Sequence, residues 1–247
     1  MSGGKLRQIL LLTDGCSNQG EDPASIAAFA YEKGVTVNVI GILNEGGAEH
    51  SHGLREVEEI AKSGGGVSQI VYASQLSQTV QMVTRQAMTQ TLHGVVHNEL
   101  RHILGEEQEM EDLPPDKRGE VMEVVDELGE TVHLEVLILV DTSASMKPKL
   151  PMVQEALTDL SISLRSRSGN NHFSLFLFPG KRKDAEKAAD WTTDMDKVTS
   201  TFSRLTTGGV TPTGPALKLA LRHFDKRLGK RSLREHAKDF PLEEPGV

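Results

Sequence analysis

The sequence predicts an α/β protein: a Rossmann-like, doubly wound, mostly parallel sheet flanked by helices. Three observations lead there. Apolar runs without polar alternation, such as ILLLT (9–13) and LEVLILV (134–140), are the pattern of parallel strands buried on both faces. Segments of helical spacing lie between those runs, so strand and helix alternate along the chain. Acidic or hydroxyl-bearing loops follow two of the strands, which is where open α/β sheets bind their ligands.

Taken in order, the first strand is ILLLT, running straight into Asp14. DPASIAAFAYEKG (22–34) reads as a helix with Asp22 as its cap, Pro23 at the first helical position and Gly34 as its stop. VTVNVIGIL (35–43) and VSQIVY (67–72) are the next strands. Between them GLREVEEIAKSGGG (53–66) puts Leu54, Val57, Ile60 and Ala61 on one helical face. A long helix is expected from about Ser77 to Leu104. The stretch GEEQEMEDLPPDKRGE (105–120) is acidic and carries a proline pair, so residues 105–131 read as a linker. Within it, EVMEVVDELGE (120–130) fits either a short helix ended by Gly129 or a strand folding back. LEVLILV, a helix over LPMVQEALTDLSISLRSR (150–167), the strand FSLFLF (173–178), an edge strand near Ala188–Thr192 and a helix in TPTGPALKLALRHFDKR (211–227) complete the series. From Lys230 onward the chain is polar and reads as a partly disordered tail.

A chain of 247 residues suffices for one large domain or two small ones. Aromatic residues are only 4%, so the core must be built from Leu, Val, Ile, Ala and Met. A net charge of −8 argues against nucleic acid or an acidic membrane surface as the main partner. The single cysteine, Cys16, excludes an internal disulfide framework and suits a reducing compartment. The apolar run ahead of Asp14 is about six residues, shorter than the core of a secretory signal, and no other stretch approaches a membrane span. The expectation is a soluble cytoplasmic protein.

Three stretches carry candidate chemistry. In DTSAS (141–145), Asp141, Ser143 and Ser145 fall at alternate positions after a buried strand; on extended backbone all three would point the same way. Every donor is a hard oxygen, which suits Mg²⁺ or Mn²⁺ rather than zinc. Taken alone, DTSAS fits an Asx or Ser/Thr turn capping the next helix equally well. The second stretch, TTGGVTPTGPAL (206–217), has Gly208 and Gly209 for close backbone approach and hydroxyls on Thr211 and Thr213. No G-K-[ST] follows, so it is not a nucleotide P-loop. The third is Asp14 itself.

DTSASM resembles the D-x-S-x-S signature of von Willebrand factor A (vWA) domains. GGVTPTGPAL resembles their threonine loop, and LLLTDG their later strand with its own aspartate. The three together form the metal-ion-dependent adhesion site (MIDAS) of that family. The resemblance implies Asp141, Ser143, Ser145, Thr211 and Asp14 as metal ligands, the hydroxyls touching the metal directly and the aspartates partly through water. The order departs from the family, because TDG comes first here. Residues 132–229 correspond to the first half of such a domain and 1–104 to the second, joined by 105–131 and followed by the tail 230–247. The chain therefore looks like a circularly permuted vWA domain. It is also loosely similar to small, uncharacterised vWA proteins of spore-forming bacteria.

The function implied is a divalent-metal-dependent protein-binding module, in which Mg²⁺ (or Mn²⁺) coordinates an Asp or Glu carboxylate of a partner. The alternative is a vWA subunit working with a separate AAA+ ATPase in a chelatase-like complex; no Walker motif is present, so the ATPase would be another protein. A hydrolase would need a general base or nucleophile, and the sequence nominates none. Monomer and swapped dimer both remain open. His93 and His97, with His102 beyond, have helical spacing but no supporting zinc pattern. His50 and His52 read as loop residues, Cys16 as an inert thiol, and KRLGKR (226–231) as solvated charge.

Overall fold

In the computed structural model, the structure describes residues 5–15, 17–43, 51–104 and 113–239, with backbone alone at 51–52, 54, 98–104, 203–204 and 228–239. Six strands form one sheet: β1 (Lys5–Thr13), β2 (Thr36–Leu43), β3 (Gly65–Tyr72), β4 (His133–Asp141), β5 (Asn171–Phe178) and β6 (Glu186–Thr192). Their order is β3-β2-β1-β4-β5-β6. All neighbours run parallel except the edge strand β6, which is antiparallel to β5.

Unbroken apolar runs make this sheet because both of its faces are covered. Successive side chains on a strand point to opposite faces. Leu10 and Leu12 of β1 join Val136, Ile138 and Val140 of β4 in one core. Ile9 and Leu11 join Leu137 and Leu139 in the other. The first core is closed by α3 (Leu76–Leu104), α4 (Pro115–Thr131), α5 (Leu150–Arg165) and α6 (Met195–Thr199). The second is closed by α1 (Pro23–Glu32), α2 (Ser51–Ser63) and α7 (Thr213–Asp239). A fully buried leucine such as Leu12 contributes enough that truncation to Ala would cost about 2–5 kcal/mol. Helix α1 starts as its sequence indicates: Asp22 Oδ2 accepts from the Ser25 amide at 2.9 Å, and Pro23 follows. No described helix is long and apolar enough to cross a membrane.

The parallel pairing of β1 with β4 sets the site. Leu12 lies opposite Val140, so Thr13 and Asp14 emerge beside Asp141 although more than half the chain separates them.

Four readings of the sequence change. The described part of the linker is a full helix, α4, that starts at Pro115 and runs through Gly129 to Thr131. Packing tolerates the glycine: Arg167 Nε donates to Gly129 O at 2.8 Å, and the Gly169 amide donates to Glu130 O at 2.8 Å. The tail from Lys230 continues α7 as far as Asp239, in keeping with its good helix formers Lys, Arg, Leu, Glu and Ala; residues 240–247 lie outside the described residues. His52 belongs to α2 rather than to a loop. Arg227 of the KRLGKR run is anchored, its Nε donating to Glu135 Oε1 at 2.9 Å. Cys16 and His50 lie outside the described residues.

Candidate metal centre

Two acidic loops meet at the carboxyl ends of β1 and β4. Asp141 is fully buried. Its Oδ1 accepts from the Ser143 amide at 2.8 Å, and its Oδ2 from the Thr13 hydroxyl, also at 2.8 Å. Burial pushes the Asp141 carboxyl above the usual carboxylate range, against the Ser143 and Thr13 hydrogen bonds, which favour the ionised form. Ser143 Oγ and Ser145 Oγ are 3.2 Å apart, and Ser145 Oγ donates to Asp14 Oδ1 at 2.9 Å. Asp14, Asp141, Ser143 and Ser145 are thus gathered into one cluster.

They do not converge by the route the alternating spacing suggests. The chain leaves extended geometry after Ser143 (φ −57°, ψ 165°) and turns through a short 3₁₀ segment, Ala144–Met146. The turn, rather than strand pleat, lays Ser145 against Asp14.

Thr211 is placed through its backbone. The Asn18 amide donates to Thr211 O at 3.1 Å, and Thr211 N donates to Asn18 Oδ1 at 2.8 Å. On the other side, the Gly208 amide donates to Thr142 O at 3.0 Å. The threonine loop is therefore clamped between the Asp14 and Asp141 loops. Gly208 (φ 144°) and Gly209 (φ 90°) supply backbone angles that side chains disfavour. Among the described residues, no hydrogen bond joins the buried Thr211 hydroxyl to either carboxylate. Thr213 is also buried, and its Oγ1 lacks a partner. Glu56 fastens the Asp14 loop further by accepting from the Ser17 amide at 2.9 and 3.0 Å.

Lys149 is the member of the cluster that the sequence did not announce. Its ammonium donates to Asp14 Oδ2 at 2.5 Å and to Ile42 O at 3.0 Å, and the two side chains are only 4% and 3% exposed. Lying three residues past DTSASM in a Lys-Pro-Lys loop, it reads locally as a surface lysine. Only the adjacency of β1, β2 and β4 reveals the role. His93 and His97 stand on α3, and among the described residues no group of three or more His, Cys, Asp or Glu is arranged to hold a metal. Any metal at the Asp14–Asp141 cluster would have to draw on hydroxyls.

Known proteins match both the sequence and the architecture. The family described as von Willebrand factor type A domain matches residues 136–237. The "Uncharacterized protein YabS" of Bacillus subtilis (strain 168) is 61% identical over 233 residues, covering 94% of this chain and 95% of that protein. A crystal structure of an uncharacterised protein from Alicyclobacillus acidocaldarius superposes with a TM-score of 0.84 at 39% identity, over 92% of this chain and 96% of that one. A structure of proximal thread matrix protein 1 from the mussel byssus, with a zinc-occupied MIDAS motif, is much more distant. It has 16% identity and a TM-score of 0.31, over 87% of this chain and 46% of that one, too loose a likeness to carry its metal across. With strand order, loop placement and relatives in agreement, the chain belongs to the von Willebrand factor type A domain family, alongside YabS of B. subtilis.

Proposed function

We propose that the chain is a cytoplasmic, circularly permuted vWA domain acting as a metal-dependent protein-binding module, with Asp141, Ser143, Ser145, Thr211 and Asp14 as its MIDAS. The donor set fits Mg²⁺ or Mn²⁺: hydrogen bonds link the Ser143 and Ser145 hydroxyls to each other and to Asp14, Asp141 accepts from the Ser143 amide, and the side-chain donors are all hard oxygens. The Lys149 ammonium supports the fit, because it is a cation already seated on the Asp14 carboxylate.

The observation that carries the reading is the charge balance around that lysine. Within the cluster, Asp14 and Asp141 bring two negative charges and Lys149, paired with Asp14, one positive. A divalent cation would leave the centre with one positive charge in excess and a ligand position to fill. An Asp or Glu carboxylate from a partner supplies both. When bound, the metal would provide Lewis-acid attraction for that carboxylate. The chain's own residues hold the acids in register, with Thr13 and Ser143 orienting Asp141 while Ser145 and Lys149 orient Asp14.

Permutation is supported by the parallel neighbours β1 and β4, which let residues 5–104 and 132–229 complete one sheet within a single chain. The family match begins at β4 and leaves the TDG strand ahead of it. Closure within one chain also avoids the entropic cost of association, so a monomer is the expected competent form.

Isothermal titration with Mg²⁺ tests the reading. Wild type should bind, Asp141→Ala and Thr211→Ala should not, and Ser143→Ala should bind more weakly. Wild-type affinity in both of the first two variants would remove the site. An affinity capture run in Mg²⁺ and in EDTA then seeks the partner. Recovery of a AAA+ ATPase only in the presence of ATP would favour the chelatase-like alternative.

A further inference from the structure

Away from the acidic loops, the sheet edge carries a concentration of positive charge. A cleft of about 1280 Å³ opens between β6 and α7, lined among others by Arg222, Lys226, Trp191 and the loop Lys181–Lys183. Its acids are largely committed. Glu135 is held by Arg7 at 3.6 Å and Arg227 at 2.9 Å, and Asp190 by Lys187 at 2.6 Å. Among the described residues, Lys181, Arg182, Lys183, Arg222 and Lys226 enter no ion pair, and Glu186 is the one other acid of the lining. This local excess of cations stands on a chain whose net charge is −8. The indole Nε1 of Trp191 is buried without an acceptor, a donor left for a ligand oxygen.

The same loop lines a second cleft of about 520 Å³ together with Thr142 and the threonine loop Thr206–Val210. The two clefts share Lys181–Lys183 and Glu186, the second adding the acid Asp184, and together mark a track from the threonine loop beside the candidate metal centre to Trp191. Nucleic acid is a poor fit to it. Single strands stack on free aromatic faces. Trp191 is already engaged by the stacked His223 ring at 5.6 Å and by Arg227 at 4.7 Å.

We propose that this track is the docking surface for an acidic polypeptide segment. One carboxylate of the segment reaches the metal centre, and the Asp and Glu residues that follow lie over Lys181–Lys183 toward Arg222 and Lys226. The metal anchor rests on the MIDAS reading; the basic track does not.

The probe is an octaglutamate peptide, titrated at low ionic strength in Mg²⁺ and in EDTA. It is followed by anisotropy of a labelled copy and by emission of Trp191, the only tryptophan of the chain. Lys181, Arg182 and Lys183 are exposed, so their reversal should leave the fold intact. Wild type should bind saturably and perturb Trp191. The triple variant K181E/R182E/K183E and the double variant R222E/K226E should each bind about tenfold or more weakly, since several like charges now face the peptide. Wild-type binding by both charge-reversal variants, or no saturable binding by wild type in Mg²⁺, would overturn the track. Charge-dependent binding that ignores EDTA and Asp141→Ala would keep the track and remove the metal anchor. Tighter binding of an octathymidylate or of inorganic phosphate than of octaglutamate would overturn the assignment to an acidic polypeptide.

Discussion

Replacing Lys149 with Met asks how far one ammonium holds the acidic loops together. Its side chain and that of Asp14 are 4% and 3% exposed, so solvent screens the pair little. Removing one partner of a buried pair leaves an uncompensated charge, at a cost of about 3–5 kcal/mol. In a domain of this size each kcal/mol lowers the melting temperature by about 2–4 °C, which predicts a loss of about 6–20 °C in EDTA. If Mg²⁺ takes over the neutralisation of Asp14, the gap from wild type should narrow in saturating metal. Metal stabilises both proteins, so the gap narrows by the ratio of their affinities, about 1.4 kcal/mol for each tenfold by which the variant binds more tightly. The variant should also bind Mg²⁺ more tightly, since a positive neighbour is gone. Scanning calorimetry in EDTA and in Mg²⁺, with titration calorimetry beside it, measures both effects. An equal gap from wild type in the two conditions would refute the exchange of ammonium for metal. A loss under about 1 kcal/mol would refute the pair as a structural element.

Three further outcomes follow from the geometry. Gly214→Ala would drive a Cβ into Glu21 O, pushing the Asp14 loop off the start of α7; a loss of about 1–3 kcal/mol and weaker Mg²⁺ binding are expected by calorimetry. Asp22→Ala removes the cap on α1 and should cost about 1 kcal/mol in denaturant titration. Hydrogen bonds from Ser25 hold the Asp22 carboxyl below its usual range. That contribution is complete above the ordinary Asp value and fades as pH falls through the folded one, so wild type and variant should converge in acid. His172 and His223 are both held below the ordinary histidine value, chiefly by burial. Their neutral forms are the folded ones. Stability should be full above about pH 6.5, fall as pH drops through that value, and fall less steeply in His223→Phe.

Most of the sheet was legible because strands covered on both faces need no alternation, and runs such as LEVLILV fit little else. The three motif loops were legible for the same reason, since each follows a recognisable strand or opens a helix. Lys149 was not, because its partners lie on β1 and β2, and one lysine in a loop carries no periodic signal. The course of α4 was hidden by Gly129, which usually stops a helix; here Arg167 and Gly169 hold the adjoining carbonyls. The 3₁₀ turn at Ala144 escaped a pleat-based argument, since alternate residues converge by pleat only where the strand continues. The basic cleft had to wait for topology. Lys181–Lys183 and Arg222–Lys226 belong to separate elements, and only the placement of α7 beside β6 unites them.

The clamp between Asn18 and Thr211 has a consequence for the order in which the molecule is completed. Ser17 and Thr211 are separated by 194 positions along the chain, and Thr13 and Asp141 by 128. During synthesis Asp14 leaves the ribosome well ahead of Asp141 and Thr211, which lie far later in the chain. A nascent chain lacking α7 has the TDG strand with its Asp141 and Lys149 contacts, but not the helix that follows the threonine loop. Contacts of such long sequence separation form slowly, because the intervening chain must be ordered before they can reward it. On the proposed metal reading, occupancy of the centre would report that translation has passed Thr213 and that β1 has found β4. A truncated or misregistered copy would be silent toward any partner that needs the metal.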